Sequence, residues 1–310
     1  MQKNTLKLLT LLSMTNVKPN FLIVGAAKAG TTALYYYLKQ HKDIGFPDLK
    51  EPKYFSSCNL KFPHNGIGDS SVDKYAIRDW GEYLKLFKNL KGYKRIGEAS
   101  PDYLFYHKQT APLIKEKLGD IPIIIILRNP VKRAFSAYSY LKRDSREKLE
   151  FAEAIASEKM RTEKNWDFIW RYKKGSEYSD QVLTFKNNFS NVHIIIFEEF
   201  IKNGLEETNK VFDFLGLNKL TDISTMEHNV SGQPNNWLTR FILSRDNNIS
   251  TIIRELIKKI IPRIILEKLS KRGLNKIEIS KEDYFTLKKE LIKDTLRTQD
   301  ILKRIIEAWK

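Results

Sequence analysis

The stretch FLIVGAAKAGTTAL, residues 21–34, decides the fold. Phe21 to Val24 form an apolar run that predicts a short buried strand. Gly25 and Gly30 bracket a loop, and Thr32 to Gln40 read as a helix with Ala33, Leu34, Tyr37 and Leu38 on one face. Strand, glycine loop and helix in that order bring backbone N–H groups to a helix N-terminus, where a phosphate is favoured. The lysine is displaced, however. In the ATPase pattern G-x-x-x-x-G-K-S/T the lysine follows the last glycine and reaches the β and γ phosphates. Here Thr31 fills that place, Thr32 takes the hydroxyl position, and Lys28 sits inside the loop.

A second stretch, IPIIIILRNP at 121–130, bears on the same question. Ile123 to Leu127 is an unbroken apolar, mostly β-branched run, the pattern of a strand buried on both faces of a parallel sheet. An ATPase wants an aspartate for Mg²⁺ near the end of a neighbouring apolar strand. This strand ends in Arg128, which suits a second phosphate in a metal-free site. Asn129 and Pro130 stop the strand and open the helix VKRAFSAYSYLKR. Further along, RIGE at 95–98 precedes ASPDYLF, where Ser100 or Asp102 is placed to start a helix. NVHIIIFEEF repeats the central-strand pattern, and LEETNKVFDFLGL reads as a helix capped by Gly216. Alternating strands and helices predict an α/β fold: a three-layer, doubly wound, mostly parallel sheet of the P-loop type.

The chain has 310 residues, 42% of them apolar, enough for one sizeable core, and no internal repeat. The expected organisation is a single domain, 1–310, with a nucleotide-binding core at 20–236 and a basic helical extension at 237–310. Fifty-four Lys and Arg against 37 Asp and Glu give a net charge of +17, so anionic partners are favoured: a nucleotide, an acidic glycan, nucleic acid or a lipid surface. Cys58 is the only cysteine, which excludes an intramolecular disulfide. LKLLTLLSM at 6–14 is too short to span a bilayer. The expectation is a cytoplasmic protein, with peripheral contact at the inner membrane face left open.

FLIVGAAKAGTTAL and ILRNPVKRAFSAYSY resemble the two nucleotide-binding motifs of the sulfotransferases that use 3′-phosphoadenosine 5′-phosphosulfate (PAPS) and release adenosine 3′,5′-bisphosphate (PAP). KEPKYFS, GEASPDYLF, GSEYSDQVLTFKNNFSNVHIIIFEEF, FDFLGL and HNVSGQPN continue the resemblance in order, over roughly residues 20–236. The flavour is similar to bacterial enzymes and to heparan sulfate sulfotransferases, whose base is a glutamate in the KE segment, rather than to the small-phenol enzymes that use histidine. The resemblance implies that Lys28, Ala29, Gly30, Thr31 and Thr32 hold the 5′-phosphosulfate, and that Arg128 and Ser136 hold the 3′-phosphate. It further implies that Ser231 and Gly232 close over the nucleotide. Glu51 would be the general base and Lys28 would neutralise the departing phosphate, with no metal required. A glycan or other hydroxyl-bearing acceptor is the implied partner, less readily an amine; nucleic acid is not expected.

On the acceptor side, Lys53 stands where the heparan-type pattern commonly has histidine, and Ala99 where it has lysine. Lys53 either steadies Glu51, meets an acidic sugar, or is a solvated loop lysine. Ser100 is counted with Lys53 among the acceptor contacts. Tyr178 either lines the cleft or packs in the core. In the tail, Ile253, Leu256, Ile257, Ile260 and Ile261 fall at helical spacing among basic residues before Pro262. That helix packs on the sheet, lies on an anionic membrane, or guides an acidic acceptor. Two other classes stay open: a P-loop kinase with a degenerate loop, and a non-catalytic basic protein that binds membrane or nucleic acid.

Overall fold

The computed structural model describes residues 17–224, 233–234, 274–275 and 277–310. Five strands, β1 (Phe21–Gly25), β2 (Ile44–Gly45), β3 (Arg95–Ala99), β4 (Ile123–Leu127) and β5 (Val192–Ile196), form one sheet in the order β2-β3-β1-β4-β5. Every pairing in it is parallel. The two apolar runs legible in the sequence are its central strands: all of β4, and β1 as far as Val24, are fully buried. Covered on both faces, such strands need no polar alternation. β5 lies at an edge, and its first three residues are only half-buried.

β1 pairs with β3 on one side and β4 on the other, so the chain reverses its direction of travel across the sheet at β1. Right-handed crossovers then place the helix Thr31–Leu38 on one face, with Gly204–Phe214 against it. His107–Leu118 and Pro130–Arg143 fall on the other face, with Ser179–Asn188 and Lys281–Leu302 packed over them. In open α/β sheets the crevice beyond the carboxyl ends of the strands at such a reversal is the ligand site. The glycine loop leaves β1 there, and Arg128 leaves β4 beside it.

Local signals behave as their chemistry requires. The Asn129 side chain accepts a hydrogen bond from the Lys132 N–H (3.1 Å) and Pro130 opens the helix. After Phe214 the chain turns at Gly216 (φ +69°), with the Leu217 N–H on the Phe212 carbonyl (2.8 Å) and the Gly216 N–H on that of Asp213 (2.9 Å). Two expectations shift. The first helix runs Thr31–Leu38 and buries Thr31, Leu34, Tyr35 and Leu38, because Tyr35 packs on Phe46 (ring centroids 4.5 Å apart) while Ala33 and Tyr37 stay half-buried. Ser100 and Asp102 lie in turns, and the helix starts only at His107. Their side chains face inward instead: the Ser56 hydroxyl donates to Asp102 at 2.5 Å.

The C-terminal segment is woven into the core. The Asp294 carboxylate accepts from the Tyr178 N–H (2.6 Å), the Tyr178 hydroxyl donates to the Arg128 carbonyl (3.0 Å), and Asn129 Nδ2 donates to the Ala308 carbonyl (3.3 Å). Trp309, buried against Tyr178, donates its indole N–H to Glu198 (3.3 Å), whose other oxygen accepts the Asn129 N–H (3.0 Å). The tail therefore braces the turn that carries Arg128. The amphipathic stretch 253–261 and Ser231 and Gly232 lie outside the described residues. Among those described, no helix is long and apolar enough to cross a membrane.

Candidate active site

A cavity of about 390 Å³ opens at the carboxyl ends of β1 and β4. Lys28, Gly30, Thr31 and Thr32 line it from the glycine loop, Arg128 and Ser136 from the β4 side, and Glu51 and Lys53 from the loop before Tyr54. Residues 100 positions apart thus share one wall: an Arg128 guanidinium nitrogen donates to the Lys28 carbonyl at 3.4 Å.

The loop is held by parts the sequence did not advertise. Arg133, on the buried face of the helix Pro130–Arg143, donates from Nε to the Ala27 carbonyl (2.9 Å) and from a terminal nitrogen to the Tyr172 carbonyl (3.0 Å). A Cβ on Gly175 would lie 2.4 Å from that guanidinium, so only glycine lets Arg133 reach both carbonyls. Gly30 (φ +103°) is likewise required, since a Cβ there would meet the Phe197 ring at 2.7 Å. An arginine on an otherwise apolar helix face was the available sign of Arg133. Ala29 turns under the loop: it is fully buried and its N–H is given to the Ala26 carbonyl (3.1 Å), so it does not face the cavity.

Three cavity residues, Lys28, Glu51 and Lys53, hold left-handed backbone angles (φ +70°, +58° and +57°) although none is glycine. Such conformations cost on the order of 1–3 kcal/mol each and persist where surrounding structure enforces them. For Lys53 one enforcing contact is its N–H on the buried Ser100 hydroxyl (3.1 Å). Ser100 thus acts behind the wall, and so does Tyr178, whose hydroxyl is on the Arg128 carbonyl.

Electrostatics separates the groups further. Lys28 Nζ rests 4.2 Å from the centre of the Tyr140 ring. Burial, then Arg143 and Arg128, lower its pKa to about 7 against the opposing pull of Asp144 and Glu51. Burial pushes the Glu51 carboxyl up, but Lys50, Lys53 and Lys28 outweigh it and hold the group below its ordinary value. Lys50 bonds Glu51 directly and also reaches the Thr32 hydroxyl (3.3 Å), linking the carboxylate to the glycine loop. Lys50 opens the KEPKYFS motif, but the motif alone gave it no role. Asp167 and Phe168 on the far wall, and Tyr140, Arg143 and Arg146 beside them, were missed as well.

Arg143 and Arg146 arrive already paired. Arg143 Nε donates to Asp144 (3.0 Å), and Arg146 bonds Asp69, which is fully buried and also accepts from the Gly66 N–H, the Asp167 N–H and the Trp170 indole, each at 2.9 Å. Lys28 and Arg128 have no ion pair among the described residues, and the buried Nε of Arg128 has no hydrogen-bond acceptor. A guanidinium nitrogen left in that state is costly unless an anion arrives.

A parallel sheet with a glycine loop and an arginine at adjacent strand ends defines an α/β protein of the P-loop type. The chain belongs to the sulfotransferase family: the sulfotransferase domain model matches residues 18–289. A crystal structure of a sulfotransferase from Alicyclobacillus acidocaldarius is similar to it at 31% identity, with a TM-score of 0.76, over 94% of this chain and 99% of that one. Membrane-associated sulfotransferase kil1 of Dictyostelium discoideum is 34% identical over 139 residues, 43% of this chain and 26% of that protein. Carbohydrate sulfotransferase 15 of Mus musculus is 27% identical over 171 residues, 44% of this chain and 30% of that protein. The matches span less than a third of the length of these two curated relatives. The match runs to residue 289, beyond residue 236, where the resemblance read from the sequence fades.

Proposed function

We propose that this chain transfers a sulfonyl group from PAPS to a hydroxyl, or in second place an amine, of a carbohydrate acceptor. The observation that carries the reading is one cavity in which two cations without carboxylate partners among the described residues, Lys28 and Arg128, stand at adjacent strand ends with the Glu51 carboxylate on the same wall. The residues present fit a doubly phosphorylated nucleotide. The first-turn N–H groups of the helix Thr31–Leu38 have no intrahelical acceptor and no side-chain cap, and Arg128 Nε awaits one. Lys28, Gly30, Thr31 and Thr32 would hold the 5′ end, and Arg128 and Ser136 the 3′-phosphate. A carbohydrate acceptor is supported by the name of one relative, carbohydrate sulfotransferase 15. The kinase reading is set aside by the family and by Arg128, which stands where an ATPase would place a Mg²⁺-holding carboxylate.

In this reading the phosphosulfate supplies an activated sulfonyl group with a phosphate as its leaving group. Glu51 takes the proton from the acceptor hydroxyl as the new oxygen–sulfur bond forms. That contribution is worth ~10²–10⁴ in rate. Lys28 neutralises the charge left on the phosphate oxygen as the old bond breaks, worth about 3–4 kcal/mol for a preorganised group. Lys50 keeps Glu51 ionised and in place. The test is labelled-sulfate transfer from PAPS across glycans, glycolipids and small alcohols, with a PAP thermal-shift measurement alongside. A PAP shift with label in a glycan is the expected result. Mg²⁺-dependent ATP turnover without PAP affinity would overturn it.

A further inference from the structure

The wall opposite the glycine loop carries a carboxylate that the chemistry above does not use. Asp167 is only 5% exposed, yet it lines the cavity. It precedes the short turn Phe168–Trp170 but its side chain does not cap it. Its N–H is pinned by Asp69 (2.9 Å) and its carbonyl accepts from the Trp170 N–H (3.2 Å), so the backbone is fixed while the carboxylate has no hydrogen-bond partner among the described residues. Buried carboxylates are ordinarily paired or hydrogen-bonded.

Lys53 lines the same cavity. Its ammonium makes no hydrogen bond among the described residues and lies 5.7 Å from the centre of the Phe168 ring. Asp167, Asp102 and Glu51 favour its charged form strongly enough to outweigh burial. The acceptor wall thus offers an acceptor-only group, a donor-only group and an aromatic ring, the combination that suits a hydroxyl flanked by C–H faces. Its charges also cancel: Lys50 and Lys53 stand against Glu51 and Asp167. The remaining cations of the cavity are either committed to Asp144 and Asp69 or face the nucleotide.

We infer that Asp167 is a specificity-determining residue that accepts a hydrogen bond from a second hydroxyl of the acceptor, so that the sugar unit being sulfated is uncharged. The inference rests on the sulfotransfer reading above and narrows its substrate. Lys53 donates to the same or the neighbouring hydroxyl, and Phe168 packs on the ring. A uronate or an already sulfated unit at this position would bring its anion against two carboxylates, an unfavourable contact that acts as a filter. An anion elsewhere on a long glycan is not excluded by this wall.

The experiment compares labelled-sulfate transfer from PAPS to neutral oligosaccharides and to uronate-containing oligosaccharides of equal length, with native protein and Asp167→Asn. Native protein should favour the neutral set by about tenfold or more in kcat/KM. Asp167→Asn should raise KM for the neutral acceptor about tenfold, leave kcat within about threefold, and narrow the neutral-to-uronate ratio. An unchanged PAP thermal shift in the variant shows an intact fold; should Asp167→Asn fail to fold, Asp167→Ser is read in the same way. Preference for uronates, transfer to no neutral glycan, or an unaltered KM and ratio in the variant would each overturn the inference while leaving PAP binding in place. Loss of PAP binding by the native chain would instead overturn the donor reading and this inference together.

Discussion

The two ends of the cavity are built on different plans. At the donor end, the binding groups project from the ends of two adjacent buried strands and are clamped by the backbone of their neighbours: Arg133 on Ala27, Arg128 on Lys28, Tyr178 on Arg128. Its two leading cations have no carboxylate partner among the described residues. At the acceptor end, the groups come from the loop around 50–53, from the last turn of the helix Pro130–Arg143 with the turn that follows it, and from the turn at 167–169, and most of their charge is answered within the protein. A site for a fixed, doubly phosphorylated nucleotide is economically made from sheet geometry. A site whose ligand varies is made from loops, since these change without disturbing the strands. The same comparison predicts that substitutions at the two ends separate cleanly in what they damage.

The largest separation is expected at Glu51. Glu51→Gln keeps size and removes the proton acceptor, so turnover should fall by ~10²–10⁴ while PAP affinity, read by calorimetry, stays within a few fold. Near-native turnover in that variant would remove Glu51 from the chemistry. Because the surrounding lysines hold this carboxyl below its ordinary value, the group is ionised throughout the neutral range, and its limb of the pH–rate profile should lie on the acid side of that value. The converse substitution is Arg128→Ala. It removes a charge-assisted contact from the donor end, and PAP should bind about 10–100-fold more weakly with the acceptor KM little changed. Equal losses at both ends would mean that the two halves are not independent.

The donor half was also the legible half, for a physical reason. A buried parallel strand must be apolar on both faces, and a phosphate loop must place its glycines where the backbone turns, so FLIVGAAKAGTTAL and IIIILRNP leave little freedom in reading. Lys28, Gly30, Thr31, Thr32 and Arg128 therefore stood out in the local pattern, Ser136 came from the resemblance, and one cavity gathers all of them. Ala29 did not, because a loop position read from a motif says nothing about which way its amide points. At the acceptor end, Glu51 and Lys53 were found through resemblance alone. Ser100 was expected on the wall and instead supports it from behind, and Tyr178, left open between cleft and core, does the same, since a hydroxyl that fixes a neighbour's backbone looks the same in sequence as one that meets a ligand. Lys50, Arg133 and Asp167 have no periodic signature: each matters through a partner between 18 and 114 residues away, a distance only the fold closes. The tail's bracing of the Arg128 turn escaped for the same reason. Its contribution at Ala308 and Trp309 is made against Asn129 and Glu198, more than a hundred positions earlier.

A pH dependence of PAP binding sharpens the contrast most directly, because it asks whether the donor end really holds uncompensated charge. In the nucleotide-free protein, burial together with Arg143 and Arg128 lowers Lys28 to about 7, while Asp144 and Glu51 pull the other way. A bound phosphate favours the ammonium and must raise that pKa. Protonated Lys28 is then the form that binds, so affinity is greatest below about 7 and declines as pH rises through that value toward the higher pKa of the complex. PAP affinity should weaken between pH 7 and pH 9, by at most about tenfold per unit, although the phosphates, with second pKa values near 6, only gain negative charge over this range and charge counting on the ligand predicts no weakening. Calorimetry in buffers of different ionisation heat should show proton uptake on binding at pH 8. Lys28→Met should abolish both the slope and the uptake, and Arg143→Gln should move the slope to higher pH by removing a cation that depresses Lys28. A flat affinity in the native protein from pH 7 to pH 9 would mean that Lys28 is already fully charged before the nucleotide arrives, and the donor end would then be no more strained by its charge than the acceptor end.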